Sequence, residues 1–169
     1  DRDYRHLILW DENELEIAGA YRIGEVNNIL SQPGSRGIYS QELFSYDSDA
    51  MQPYFEKGIE LGRSFVSPKY WGRRSLDYLW YGIGAYLKRY PDIRYLFGPV
   101  SLSNSYPDFA KALIVGYYQH YFPDDKHLAI AKNPYIAERS LQQQVLQTYC
   151  GTDAEADFTA MREQLTHMN

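Results

Sequence analysis

The chain has 169 residues, 44% of them apolar and 23% charged, with a formal net charge of −5. That length and apolar fraction suit a single soluble domain with a real core, and the acidic balance argues against the basic face that binding to nucleic acid requires. One cysteine, Cys150, excludes an internal disulfide and a cysteine-based metal cluster, and it fits a reducing cytoplasm.

No apolar run approaches the roughly 20 residues of a membrane span, and no signal peptide is evident. The chain starts at Asp1 without methionine, which fits a piece of a longer protein. Its 17 tyrosines offer flat apolar area with a polar tip, suited to a cleft or to a core rim.

In chain order, "DRDYRH" reads as a charged, solvated entry to a first strand, "HLILW" (His6 to Trp10). A polar "DENEL" loop leads to a second strand, "EIAGAYRIG" (Glu16 to Gly24). Residues 25–50 are polar, with "SQPGSRG" a loop signal, and "YSQELFSY" fits either a short strand or a helical turn. "EKGIELGRSFVSP" is the next strand, ended by Pro68. From Ser75 to Tyr90, Leu76, Leu79, Trp80, Ile83 and Leu87 recur at helical spacing and predict one buried stripe. The apolar run Ile93 to Ser103 predicts a central strand. A helix then starts at Tyr106-Pro107-Asp108, with Phe109, Leu113, Tyr117 and Tyr121 on one face. "KHLAIAKNPY" fits a short strand. Helices are expected over Ala137 to Tyr149 and Asp153 to His167, the latter aligning Phe158, Met161 and Leu165. This order implies a mixed α/β sheet.

Gly72-Arg73-Arg74-Ser75 sits at the mouth of the best-defined helix. There the first backbone N–H groups lack internal partners and the peptide dipoles add positive charge. Gly72 leaves the backbone open to a ligand, and Lys69, Arg73 and Arg74 add charge, so phosphate is the natural occupant. The plainer reading is a turn glycine, an N-cap serine and solvated arginines. The stretch is neither a P-loop nor a dinucleotide-binding turn.

"HLILWDENELEIAGAYRIG", "IELGRSFVSP", "LDYLWYGIGAYL" and "RYLFGPVSLSNSYP" together resemble the GNAT acyltransferase superfamily. The resemblance is to its branch of hemolysin-like proteins and ornithine-lipid synthases, and more distantly to N-acyl-homoserine lactone synthases. It spans roughly residues 5–122 of one GNAT-like domain over 1–169, with a helical C-terminal extension over 137–169 and trimming at both ends as an expectation. It implies a mixed α+β fold whose central sheet is mainly antiparallel and flanked by helices. In the superfamily a [Q/R]-x-x-G-x-[G/A] loop holds the phosphates of an acyl-pantetheine carrier. Here those positions read Lys69, Gly72 and Arg74, so the glycine matches, lysine replaces Gln or Arg, and a bulky arginine replaces the small residue.

By resemblance the donor is a fatty acyl thioester on coenzyme A or acyl carrier protein, the acceptor is an amine, and no metal takes part. A hydrophobic product implies a protein that is cytoplasmic or peripheral to the inner membrane. Acyl transfer needs a deprotonated amine, a polarised carbonyl and a departing thiolate. Alternation in "IELGRSF" sets Glu60 with Gly62 and Ser64 on one face. A half-buried glutamate is then a candidate base, and a rim salt bridge is the alternative. The lactone synthases carry a similar Glu-x-x-Arg in this strand. Gly62 suits a bulge that frees backbone N–H groups. By resemblance the groups around Ser64, Phe65 and Val66 bind the pantetheine arm. Arg63 braces Glu60 or binds an acceptor carboxylate.

Tyr106 stands where superfamily members often place an acid for the leaving sulfur, with Ser103, Asn104 and Ser105 beside it as candidate substrate contacts. Phe97, Val100, Leu113 and Tyr117 line an acyl tunnel or belong to the core. The four histidines have no metal-ligand spacing, and the serines lack a nucleophile elbow. Two rival functions remain at this level, a short-chain acetyl-CoA N-acetyltransferase and a non-catalytic acyl-carrier or lipid-binding module. Membrane lysis finds no amphipathic basic helix to support it.

Overall fold

Period-two patterning gives "RHLILWD" and "EIAGAYRIGE" their extended form, β1 (Arg5–Asp11) and β2 (Glu16–Glu25), joined as a hairpin. The protein, seen in a computed structural model that describes residues 3–168, divides into two units, residues 1–100 and 101–169. Asp1 and Arg2 of the expected solvated entry lie outside the described residues. The rest of that entry is not idle. Arg5 pairs with Glu25 at 3.2 Å, and the Tyr4 hydroxyl donates to Glu60 at 2.9 Å.

In the first unit β1 and β2 are followed by α1 (Val26–Leu30), α2 (Ser40–Leu43), β3 (Phe44–Tyr46) and α3 (Ser48–Glu56). Next come β4 (Gly58–Val66), a 3₁₀ turn over Pro68–Tyr70, α4 (Ser75–Arg89) and β5 (Tyr95–Phe97). The sheet order is β1-β2-β4-β5, antiparallel at the first two junctions and parallel at the last. This is the mixed, mainly antiparallel α+β arrangement expected of a GNAT-like chain.

Helix α4 lies against the sheet. Trp80 meets the Tyr21 ring edge-on at 6.2 Å, and the Tyr86 hydroxyl donates to Glu25 at 2.6 Å. Val26, Ile29 and Ile38 form a buried cluster in this unit, with the partly buried Tyr4, Leu30, Phe55 and Phe97 packed against it.

Three local expectations are corrected. In the 25–50 segment "YSQELFSY" holds both the helical turn and the short strand that it suggested, as α2 and β3. Helices α1 and α3 are additions, because Val26 and Ile29 reach the core and Asp47 caps α3 through the N–H groups of Asp49 and Ala50. The run from Ile93 to Ser103 pairs only over Tyr95–Phe97 and forms an edge strand, not a central one; none of its residues is fully buried, and Tyr95, Leu96 and Val100 are exposed. In α4 the buried stripe narrows to Leu79 and Ile83, while Leu76 and Trp80 are half-exposed.

The second unit contains α5 (Asp108–Tyr121), β6 (Ala129–Ala131), α6 (Arg139–Thr148) and α7 (Ala154–His167). Helix α5 starts two residues after Tyr106, since Pro107 takes the N-cap position. Leu113 and Tyr117 join Ala112, Val145 and Met161 in its core. Both are therefore core side chains, and Val100, 90% exposed, lines no tunnel. Asp157 is buried in α7 and accepts from the Tyr121 hydroxyl (2.6 Å) and the N–H groups of Cys150 (2.8 Å) and Gly151 (2.9 Å). Among the described residues no helix is long and apolar enough to cross a membrane.

Candidate active site

Strand β4 changes character halfway along. Its parallel pairing with β5 covers Gly58, Ile59 and Glu60, and then β4 runs on through Val66 past the end of β5. On its other edge Ala20 faces Phe65 and Arg22 faces Gly62, so Tyr21 stands opposite two residues, Arg63 and Ser64. That is a β-bulge, one residue later than the expected position at Gly62. Arg63, not a glycine, takes the left-handed conformation there, with φ 45°. For a side-chain-bearing residue this costs on the order of 1 kcal/mol, and such strain gathers at functional sites. The bulge residues Arg63 and Ser64, and Phe65 after them, are exposed.

Before the bulge Glu60 is only 1% exposed. Its Oε1 accepts from the Ser40 N–H at 2.7 Å, and its Oε2 accepts from the Tyr4 hydroxyl at 2.9 Å and the Tyr39 N–H at 3.1 Å. A tyrosine and two backbone groups thus hold Glu60 where Arg63 was the expected brace. Burial, aided by the Glu60 charge, pushes the Tyr4 hydroxyl up to about 12, so it stays a proton donor at neutral pH. Gly24 sits opposite Glu60 in the register, and its lack of a side chain makes room for the Tyr4 ring.

A cavity of about 660 Å³ opens beside the bulge. Its wall includes Tyr4, Arg22, Arg36, Tyr39, Glu42 and Arg63, but not Glu60. Arg22 is 3% exposed, and its guanidinium lies 4.1 Å from the Tyr4 ring centroid and 5.3 Å from that of Tyr39. Three arginines against Asp3 and Glu42 make this wall net positive. Planar guanidinium groups suit bidentate capture of a carboxylate. Tyr4, Arg22 and Arg36 escaped the sequence reading. Arg22 carried a usable signal, a charge set by alternation between Ala20 and Gly24 on a face of small residues.

At the mouth of α4 the structure separates the expected anion ligands. Gly72 has φ 71° and open space where a side chain would be. Arg73 extends over the Tyr70 ring at 5.8 Å. Lys69 is engaged elsewhere, bonded to Glu16 at 2.8 Å and Glu14 at 2.9 Å, and these carboxylates raise its pKa. Arg74 bonds to Asp77 at 3.2 Å and to the Tyr81 hydroxyl at 3.1 Å. Ser75 is the first helical residue and not the cap; its hydroxyl donates to the Tyr70 carbonyl at 3.4 Å. Of the expected anion ligands, the open backbone at Gly72, the helix N-terminus and Arg73 are left clear of these carboxylate pairs.

Ser103, Asn104, Ser105 and Tyr106 belong to the second unit. They form a serine turn leading into α5, with the hydroxyls of Ser103 and Ser105 2.8 Å apart and the Tyr106 N–H donating to the Ser103 carbonyl. Among the described residues no group of His, Cys, Asp and Glu is arranged to hold a metal ion.

Residues 1–81 match the model of an acetyltransferase (GNAT) domain. A glycine N(alpha)-acyltransferase of Bacteroides thetaiotaomicron is 27% identical over 98% of this chain and 51% of its own length. The protein of the same name from Phocaeicola vulgatus is 24% identical over 98% of this chain and 53% of its own length. An L-ornithine N(alpha)-acyltransferase of Brucella abortus is 29% identical over 68% of this chain and 41% of its own length. The chain spans about half the length of the first two relatives. No solved structure matches it significantly.

Proposed function

From a chain whose residues 1–81 match the acetyltransferase (GNAT) domain model, we propose an N-acyltransferase that moves an acyl group, long-chain in this reading, from a pantetheine thioester to the α-amino group of an amino acid. The observation that carries the reading is the arginine-lined cavity beside the β4 bulge. An amino-acid acceptor presents a carboxylate next to its amine. Arg22, Arg36 and Arg63 supply charge for that carboxylate, which leaves the amine near the bulge. The relatives' names, glycine and L-ornithine N(alpha)-acyltransferase, support an acceptor of this class.

The thioester arm runs along β4 beyond the end of β5, where backbone groups around Ser64, Phe65 and Val66 bind pantetheine and polarise the carbonyl. Its phosphate rests on Gly72, Arg73 and the α4 N-terminus. Coenzyme A and acyl carrier protein both present this arm. Departure of the sulfur needs little help from Tyr106, the acid that the sequence offered, which belongs with Ser103, Asn104 and Ser105 to the second unit. A thiolate of ordinary pKa near 8.5 makes that acid's contribution small.

The burial of Glu60 also favours a second reading, an acyl-binding module without turnover. Two measurements separate the readings. Calorimetry with palmitoyl-CoA, acetyl-CoA and an acylated carrier protein, on wild type and Gly72→Asp, tests the donor site. Thiol release with glycine, ornithine and ethylamine tests the acceptor site. The acyltransferase reading expects a long-chain donor to bind wild type and to lose at least about tenfold in affinity to Gly72→Asp. It also expects turnover with the two amino acids and little with ethylamine. Donor binding without turnover would leave the binding module.

A further inference from the structure

Resting on the acyltransferase reading, we propose that Glu60 and Tyr4 form a latch that fixes the 32–39 loop, and with it Arg36, around the acceptor. Glu60 is then a positioning residue and not the base. A base must come within hydrogen-bond reach of the proton it takes. Glu60 is 1% exposed, does not line the acceptor cavity, and has both carboxylate oxygens occupied.

The donors that occupy it show what it holds. Tyr39 ends the loop and Ser40 begins α2, and both direct their backbone N–H groups at this one carboxylate. The Tyr4 hydroxyl is the junction. It donates to Glu60 Oε2 and accepts from the Tyr39 N–H at 3.1 Å, while its ring supports the Arg22 guanidinium. Among the described residues the loop's other hydrogen bonds are local. Ser35 N–H donates to the Gln32 carbonyl, Gly37 N–H to the Ser35 hydroxyl, and Ile38 N–H to Gln41 Oε1. Ile38, 1% exposed, anchors the loop by packing. Loss of the latch therefore loosens the cavity wall without unfolding the unit.

Glu60→Gln keeps the shape but sets an NH₂ group against a backbone donor in either amide orientation. Leaving a buried donor without its acceptor is costly. In the intact protein we expect Glu60→Gln to raise the acceptor KM by about tenfold or more, equivalent to about 1.4 kcal/mol. kcat should stay within about threefold and the donor KM should not move, the pattern of lost ground-state binding. The pH profile should match wild type. Tyr4→Phe, which keeps the ring under Arg22, should raise the acceptor KM by less.

Amide hydrogen exchange at Tyr39 and Ser40 should quicken in Glu60→Gln, and this measurement needs no substrate. A fall in kcat of about a hundredfold with unchanged KM, and loss of the acid limb of the pH profile, would make Glu60 the base and overturn the latch. Unchanged exchange together with unchanged KM would overturn it as well. Wild-type protein that transfers no acyl group to any amino acid would tell against the acyltransferase reading alone, because the exchange measurement would still report on the latch.

Discussion

Glu60 and Asp157, one in each unit, are built alike. Each is a buried carboxylate that accepts one tyrosine hydroxyl and two consecutive backbone N–H groups. These come from Tyr4, Tyr39 and Ser40 for Glu60, and from Tyr121, Cys150 and Gly151 for Asp157. The surroundings differ. The residues fastened by Asp157 border an apolar cavity of about 550 Å³ whose lining includes no Lys, Arg, Asp or Glu. The loop fastened by Glu60 borders a cavity with three arginines. Burial with filled lone pairs is thus a fastening device in both places. What the fastened loop presents to its cavity makes one of them relevant to an acceptor.

The largest expected effect tests Asp157 as pure fastening. Asp157→Ala strands a tyrosine hydroxyl and two N–H groups and should cost about 3 kcal/mol of stability. A denaturant melt would show it, and the acceptor KM of the surviving folded protein should not change. A rise in that KM would break the contrast between the two carboxylates.

Next comes Gly24→Ala. A methyl there falls 2.5 Å from Tyr4 Cε1 and 2.9 Å from Ile29 Cδ1, so the Tyr4 ring must move. We expect a loss of about 1–3 kcal/mol, with an acceptor KM raised as in Tyr4→Phe.

A pH titration sharpens the Asp157 side. Burial raises the pKa of this carboxyl, but the bonds from Tyr121, Cys150 and Gly151 outweigh burial and bring it down to about 2, below its ordinary 3.8. A carboxyl lowered on folding contributes stability that is fully present above its unfolded pKa and is lost as pH falls through the folded one. Thermal unfolding should therefore show this contribution fading between about pH 4 and pH 2, and Asp157→Asn should flatten that part of the curve.

The smallest effect belongs to Lys69. Its pairs with Glu14 and Glu16 are exposed, so Lys69→Ala should leave a denaturant melt close to that of wild type. Donor affinity should hold, since the ammonium serves the β1–β2 hairpin. A clear loss of donor binding would return Lys69 to the phosphate site.

Much of the frame was legible in the chain. Alternation marked β1, β2 and β4, and helical spacing marked α4, α5, α6 and α7 to within a few residues. The glycine at the mouth of α4 was visible too, because a turn glycine before a helix is a local signal. The site was legible only in part. Glu60 stood out as a carboxylate in a strand, yet its partners lie 20, 21 and 56 residues away along the chain. Tyr4 looked like part of a solvated entry, and Arg36 like one more polar residue in a loop.

By itself the sequence determined which segments extend and which coil, where they stop, and that one strand carries a glutamate near an arginine. These are properties of neighbouring residues, set by side-chain periodicity, proline and glycine. Only the tertiary structure decided that β5 ends beside Glu60, that the bulge falls on Arg63, and that Arg22, Arg36 and Arg63 share one cavity. It also decided that Glu60 faces a tyrosine and a loop instead of solvent. Each of these depends on register and packing between distant segments, and short-range patterning carries no information about which distant groups will meet.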